Sequence, residues 1–161
     1  MNNYSEAAWM GNFGSLFPSQ TTWLYKPLSQ VEPYSNEVDV TTNYYSTIYE
    51  QNVATGSGKT MSGEWIENQA FIYWLQSAIQ KNVFSLLINN NKIPATTRGA
   101  EQVIIKLREV LELAIKLEGI SEYQILDYKL SPKQHNISIK FKAMLVNAIS
   151  YVDGIVGEIT T

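Results

Sequence analysis

The sequence contains no cysteine and a single histidine, His135. Without thiols there can be no disulfide, no thiolate metal centre and no cysteine nucleophile. With one imidazole, neither a histidine cluster nor a two-histidine zinc motif can be assembled. Charge is scarce as well: Asp, Glu, Lys and Arg supply 17% of the 161 residues, against roughly 25% in ordinary soluble domains. Much of the surface must therefore be neutral polar. A formal net charge of −3 offers no electrostatic footprint for nucleic acid or an anionic membrane. No segment reaches the roughly 18 uninterrupted apolar residues of a membrane span, and the opening residues lack a basic region followed by an apolar stretch. What is present is a 45% hydrophobic content, enough for one substantial core and hence one expected domain spanning 1–161. Ten tyrosines and four tryptophans add to it, most of them before residue 75.

Along the chain, Gly11, Gly14, Pro18, Pro27 and Pro33 cut the first third into pieces shorter than an average helix. Residues 6–10 read as a short helix carrying Trp9. Residues 21–25 (Thr-Thr-Trp-Leu-Tyr) read as a strand ending at Pro27, and 43–49 (Asn-Tyr-Tyr-Ser-Thr-Ile-Tyr) as a second. Residues 54–58 form a loop, with 59–61 a short strand. From 64 to 88, Phe71, Leu75, Ile79, Val83 and Leu86 or Leu87 recur at three- and four-residue steps, which predicts a long amphipathic helix stopped before Pro94. Thr96 or Thr97 then caps a second helix whose Val103, Leu107, Val110, Leu111 and Ala114 share a face, with Gly119 ending it. A short loop between two helices makes them antiparallel neighbours, so Leu75, Ile79, Val83, Leu107, Val110 and Leu111 are expected to meet. Residues 123–129 read as a strand, and Ile137, Ile139 and Phe141 alternate with polar residues in the next. A following strand at 149–152 and 155–159 would complete an antiparallel meander. The fold class is α+β: an antiparallel sheet packed against a two-helix hairpin, with an irregular aromatic-rich N-terminal third.

Few constellations suggest chemistry. Residues 53–60 (Val-Ala-Thr-Gly-Ser-Gly-Lys-Thr) approach the phosphate-binding loop G-x-x-x-x-G-K-[ST], with Lys59 and Thr60 in place. Val53 stands where the first glycine belongs, no buried strand leads in, and Met61-Ser62-Gly63 intervene before helical periodicity begins. A glycine-rich hairpin loop is the expected structure, and ATP or GTP binding the alternative. His135, in a polar stretch between strands, reads as an exposed loop residue without a general-base partner. Glu109 and Glu112, beside Lys106, Arg108 and Lys116, read as a solvated helix face. Glu64 and Glu67 suit the positive end of the long helix. The aromatics could form a carbohydrate or base-stacking surface, or equally the core of an irregular region with subunit contacts, and Trp65 and Trp74 read as packing residues. Catalytic, cofactor and metal residues are all expected to be absent.

An ordered series of short motifs runs through this pattern. Asn43-Tyr44-Tyr45-Ser46-Thr47, then Gly58-Lys59-Thr60 and Ser62-Gly63-Glu64-Trp65-Ile66-Glu67, resemble N-Y-Y-T-x … G-K-T-x-S-G-E-[FWY]-I-D of a contractile phage tail sheath-like family. Trp74-Leu75, Ile79-Gln80, Val83-Phe84, Leu86-Leu87 and Lys92-Ile93-Pro94-Ala95-Thr96 continue it as D-W-L … I-Q … V-F-x-L-L … K-I-P-Y-T, followed by Gly99. Ala148-Ile149 and Gly157 resemble a terminal hairpin G-A-I … G-T-V, and Glu6-Ala7-Ala8-Trp9 with Gly11 an upstream helix. Glu67 replaces Asp, Tyr73 stands where Asp precedes Trp-Leu, and Asn147 replaces the hairpin glycine. The resemblance implies the C-terminal region of a longer sheath subunit that self-assembles around a tail tube. It implies identical subunits and a tube protein as partners, no nucleic acid, no membrane and no cofactor, and a place in the virion tail after assembly in the host cytoplasm. A tube or baseplate protein is the alternative within the same class.

Overall fold

A computed structural model of the chain describes residues 4–29, 31–33, 43–47 and 56–150. Among these, three α-helices precede a two-stranded antiparallel hairpin: α1 (Ser5–Phe13), α2 (Ile66–Ile88), α3 (Thr97–Lys116), β1 (Ile120–Ser131) and β2 (Asn136–Leu145), with single 3-10 turns at Pro18–Gln20 and Pro132–Gln134. This is the mixed α+β class that the alternation of periodicities predicts.

The helical hairpin organises the core. On α3, Ala100, Val103, Leu107, Val110, Leu111 and Ala114 are buried at the three- and four-residue spacing that puts them on one stripe. Phe71 and Leu75 from α2 and Ile120 from β1 close the cluster, and Trp74, Ile79, Tyr123, Ile125, Ile139, Phe141 and Leu145 pack around it half-buried. Val83, expected in this contact, is not part of the cluster. α2 is apolar on more than one side, so its periodicity alone does not select the face that meets α3. α2 also begins two residues later than expected, because the Glu64 carbonyl accepts the Thr60 N–H at 2.8 Å in a preceding turn. Thr96 is the N-cap of α3 by backbone position, but its side chain makes no capping hydrogen bond.

The end of α3 differs in detail from the sequence reading. The helix stops at Lys116, Glu118 takes the left-handed conformation at φ 57, and the Gly119 N–H reaches back to the Ala114 carbonyl at 3.0 Å. Gly119 is placed there for space: a Cβ on it would overlap the Phe71 ring. Gly99 answers a similar demand at the other end, where a Cβ would collide with the Pro94 carbonyl.

In the hairpin, Ile125 faces Phe141, Tyr128 faces Ile139 and Leu130 faces Ile137, with a register shift between Ile125 and Asp127. β2 alternates half-buried and exposed residues throughout, as its period-two pattern requires. Ile149 and Ser150 are not in a strand, and the rest of the expected third strand lies outside the described residues.

The strand expected at 21–25 does not form. Trp23 and Leu24 are both buried, at 6% and 4% exposure, which a strand with opposite-facing neighbours does not permit on a one-sided sheet. Tyr25 at φ 54 then turns the chain away. Tertiary contacts decide this segment: Trp9 Nε1 donates to the Trp23 carbonyl at 3.2 Å, and the two indoles meet edge to face at 5.1 Å. Of the strand expected at 43–49, only Tyr45 forms a bridge among the described 43–47. Its hydroxyl accepts the Leu28 N–H at 3.2 Å and donates to the Leu28 carbonyl at 3.3 Å. The strand expected at 59–61 reduces to one bridge, Lys59 to Trp65.

Candidate functional site

The phosphate-loop candidate can be judged by where its donors point. A nucleotide cradle needs several backbone N–H groups turned toward one anion. Here the Gly58 N–H donates to the Gly56 carbonyl at 2.9 Å, the Thr60 N–H to Glu64 at 2.8 Å and the Gly63 N–H to Thr60 at 2.9 Å. The Lys59 N–H donates to Asn43 Oδ1 at 3.3 Å, and Asn43 Nδ2 returns a bond to the Lys59 carbonyl at 2.9 Å. The two side chains the motif would use are also engaged. Lys59 Nζ lies 4.9 Å from the centre of the Trp65 ring, and Thr60 Oγ1 donates to the Glu64 carbonyl at 3.1 Å. The segment is a tight turn closed by the Lys59–Trp65 bridge, with Gly58 and Gly63 at positive φ. Residues 53–55 of the motif lie outside the described residues; among the described ones, the N–H groups of Gly58, Lys59 and Thr60 are already bonded within the protein, and the chain leads from them into α2.

The other residues singled out by sequence fall apart spatially. His135 sits exposed between the strands, at φ 52 after the 3-10 turn. Glu109 pairs with Lys106 at 2.7 Å, and this hydrogen bond holds its carboxyl below the usual carboxylate range. Glu112 accepts the Tyr123 hydroxyl at 2.6 Å, a bond that pushes the phenol pKa up. The two glutamates thus work with different elements. Glu64 is exposed in the turn. Trp74 packs against Phe17 at 4.8 Å and Phe71 at 5.4 Å.

Glu67 is the residue that sequence reasoning undervalued. It is 7% exposed, and its Oε2 is buried without a hydrogen-bond partner. The signal was present: Glu67, Phe71 and Leu75 are spaced by four and share the stripe that faces the core. Burial raises its pKa above the ordinary value, opposed by hydrogen bonds from its own and the Trp23 backbone and by the charge of Lys26. It lines a half-open cavity of about 590 Å³ between the Pro18–Gln20 turn, the start of α2, the α3–β1 corner and the chain leaving β2. That corner is stitched by Ser19 Oγ donating to the Leu117 carbonyl at 2.6 Å, Asn68 Nδ2 to Asn147 Oδ1 at 2.8 Å, and the Val146 N–H to the Gly119 carbonyl at 3.1 Å.

A carboxyl whose folded pKa is raised stabilises the fold fully below its unfolded pKa, and that contribution is lost as pH rises through the folded value. Glu67 therefore opposes folding at neutral pH. The stability of Glu67→Gln relative to the parent is expected to be greater at pH 7 than at pH 4, measured by urea unfolding at both. An equal difference at the two pH values would show that Glu67 is not perturbed.

Among the described residues, no group of three or more His, Cys, Asp or Glu side chains could hold a metal ion, and no helix is long and apolar enough to cross a membrane. Apolar side chains instead remain exposed on α2, where Tyr73 is 66%, Phe84 61% and Ile88 65% accessible.

Compared with known proteins, residues 66–122 match a family model described as E217 tail sheath protein gp31-like, C-terminal domain. The match runs from the first residue of α2 through α3 into β1, and over this stretch the resemblance read from the sequence motifs holds. No curated protein matches the chain.

Proposed function

We propose, from the match of the α2–α3–β1 unit to a tail sheath C-terminal domain, that the chain is a structural subunit of a contractile phage or phage-derived tail sheath. It works by assembly and carries no catalytic site. Its 161 residues form one domain, the C-terminal assembly region of a longer subunit. Identical copies are its main partners, and a tail tube protein occupies the lumen of the helical array that they build. The protein assembles in the host cytoplasm and resides in the virion tail.

The single observation that carries this reading is the family match. Three features of the structure support it. Among the described residues of the phosphate-like loop, the N–H groups of Gly58, Lys59 and Thr60 bond within the chain, which supports the structural reading over a nucleotide site. The two-stranded hairpin offers open backbone edges among the described residues, and such edges accept further strands through main-chain hydrogen bonds. The C-terminal stretch 155–159 is a fitting donor to such an edge, in its own chain or a neighbour's. Large apolar side chains stay in water, as in a subunit built to be covered. Contraction in this reading is a rigid-body change of packing between subunits that remain linked. The test is polymerisation: purified full-length protein is expected to form hollow tubes visible by electron microscopy.

A further inference from the structure

α2 carries more apolar surface than its own chain covers. Phe71 and Leu75 face the core, while Ile79, Val83, Phe84 and Leu87 border a shallow, almost wholly apolar groove on its C-terminal half. Phe84 and Leu87 are 61% and 53% exposed. A helix that is hydrophobic all round is ordinarily a buried one, and a contiguous apolar patch on a surface marks an interaction site.

The feature that fits this groove stands at the other end of the same helix. The turn before α2 projects Met61 entirely into solvent, at 109% exposure, more than any other large apolar side chain among the described residues. The turn is stiff, held by the Lys59–Trp65 bridge and by the hydrogen bonds that link Thr60, Gly63 and Glu64. A water-facing turn tip ordinarily takes Ser, Asn, Asp or Gly, so an apolar side chain fixed there presents a knob. From the start of α2 to Val83 the helix rises about 25 Å, too far for one molecule to place its own knob in its own groove. The flanking charges are complementary: Glu64 stands beside the knob and Lys81 beside the groove, both exposed, and neither is ion-paired among the described residues.

We propose that the Met61 turn of one copy seats in the α2 groove of the next, with Met61 against Val83, Phe84 and Leu87 and Glu64 facing Lys81. The inference rests on the reading of the chain as a self-assembling sheath subunit, and names a surface through which copies meet. Because knob and groove are different patches, the contact is heterologous and repeats without closing, which generates open arrays in place of dimers. Methionine suits the role: its flexible thioether fills irregular gaps and packs favourably against an aromatic ring such as Phe84. One such contact is small, well under the roughly 1,200 Å² of a stable pairwise interface. Its strength comes from repetition along the array.

The absence of cysteine makes the test clean. Ser62→Cys and Gln80→Cys place single thiols beside the knob, with Met61 itself kept, and on the groove rim, both at exposed positions outside the core. With a short bis-maleimide, the chain carrying both substitutions is expected to give a ladder of dimers, trimers and longer species. A mixture of the two singly substituted chains should stop at dimers, and each single chain alone should stay monomeric. Crosslinking by either single chain alone would indicate a two-fold contact and overturn the proposal. With the same two substitutions in the full-length protein, hollow tubes by electron microscopy without any ladder would reject this contact while leaving the sheath reading intact, whereas neither tubes nor ladder would overturn both.

Discussion

Truncating Leu111 to alanine is expected to lower the stability of the fold by about 2–5 kcal/mol, the range for deleting most of a fully buried leucine side chain. Leu111 is 0% exposed and sits on the stripe of α3 where α2 and the start of β1 converge. Its neighbours Phe71, Val110, Ala114 and Ile120 belong to three different elements, so collapse around the cavity would require all three to shift. Chemical denaturation measures the loss directly. A change under about 1 kcal/mol, the size of an ordinary surface substitution or a little more, would mean that α3 presents a different face to the core.

A second large effect is expected at Gly119, through excess volume. Adding a methyl group there drives it into the Phe71 ring, and overpacking of a tight site costs about 1–3 kcal/mol, occasionally more. Phe71 is itself 2% exposed and lies against Trp74, which leaves the ring little room to withdraw. The same Gly→Ala change at Gly11, in α1 with nothing within 4 Å of the added atom, should be neutral or stabilising by up to about 1 kcal/mol. Comparing thermal unfolding of the two variants separates close approach from backbone entropy. Equal effects at both glycines would contradict the packing described for the α3–β1 corner.

The α2–α3–β1–β2 part was legible in the sequence because its elements are held by the periodicity that also signals them. Val103, Leu107, Val110, Leu111 and Ala114 recur on one helical stripe, and Ile137, Ile139 and Phe141 alternate because one side of β2 is covered. The first third was not legible in the same way. Residues 21–25 have strand propensity, yet Trp23 is anchored by Trp9, and Leu24 is buried beside it in violation of alternation; contacts across many residues of sequence override local preference. α2 is an intermediate case. Its existence was plain, but a helix apolar on several sides does not reveal which side meets α3, and Val83 was assigned inward when it borders the outer groove. Glu67 shows the reverse error, since its charge suggested a surface role at the helix start while its four-residue spacing from Phe71 placed it inside. For the phosphate-like motif the described part, residues 56–60, runs through the Lys59–Trp65 bridge into α2, while its first residues, 53–55, lie outside the described residues.

A subunit of the proposed kind polymerises into a sheath, and electron microscopy of the purified full-length protein, alone and mixed with its tail tube protein, makes that visible. Hollow tubes are expected, with a lumen wide enough to admit a second, narrower tube, and filling of that lumen when the tube protein is supplied. Narrow tubes, closed rings or monomers at every concentration, with no envelopment of the tube, would contradict the proposed role.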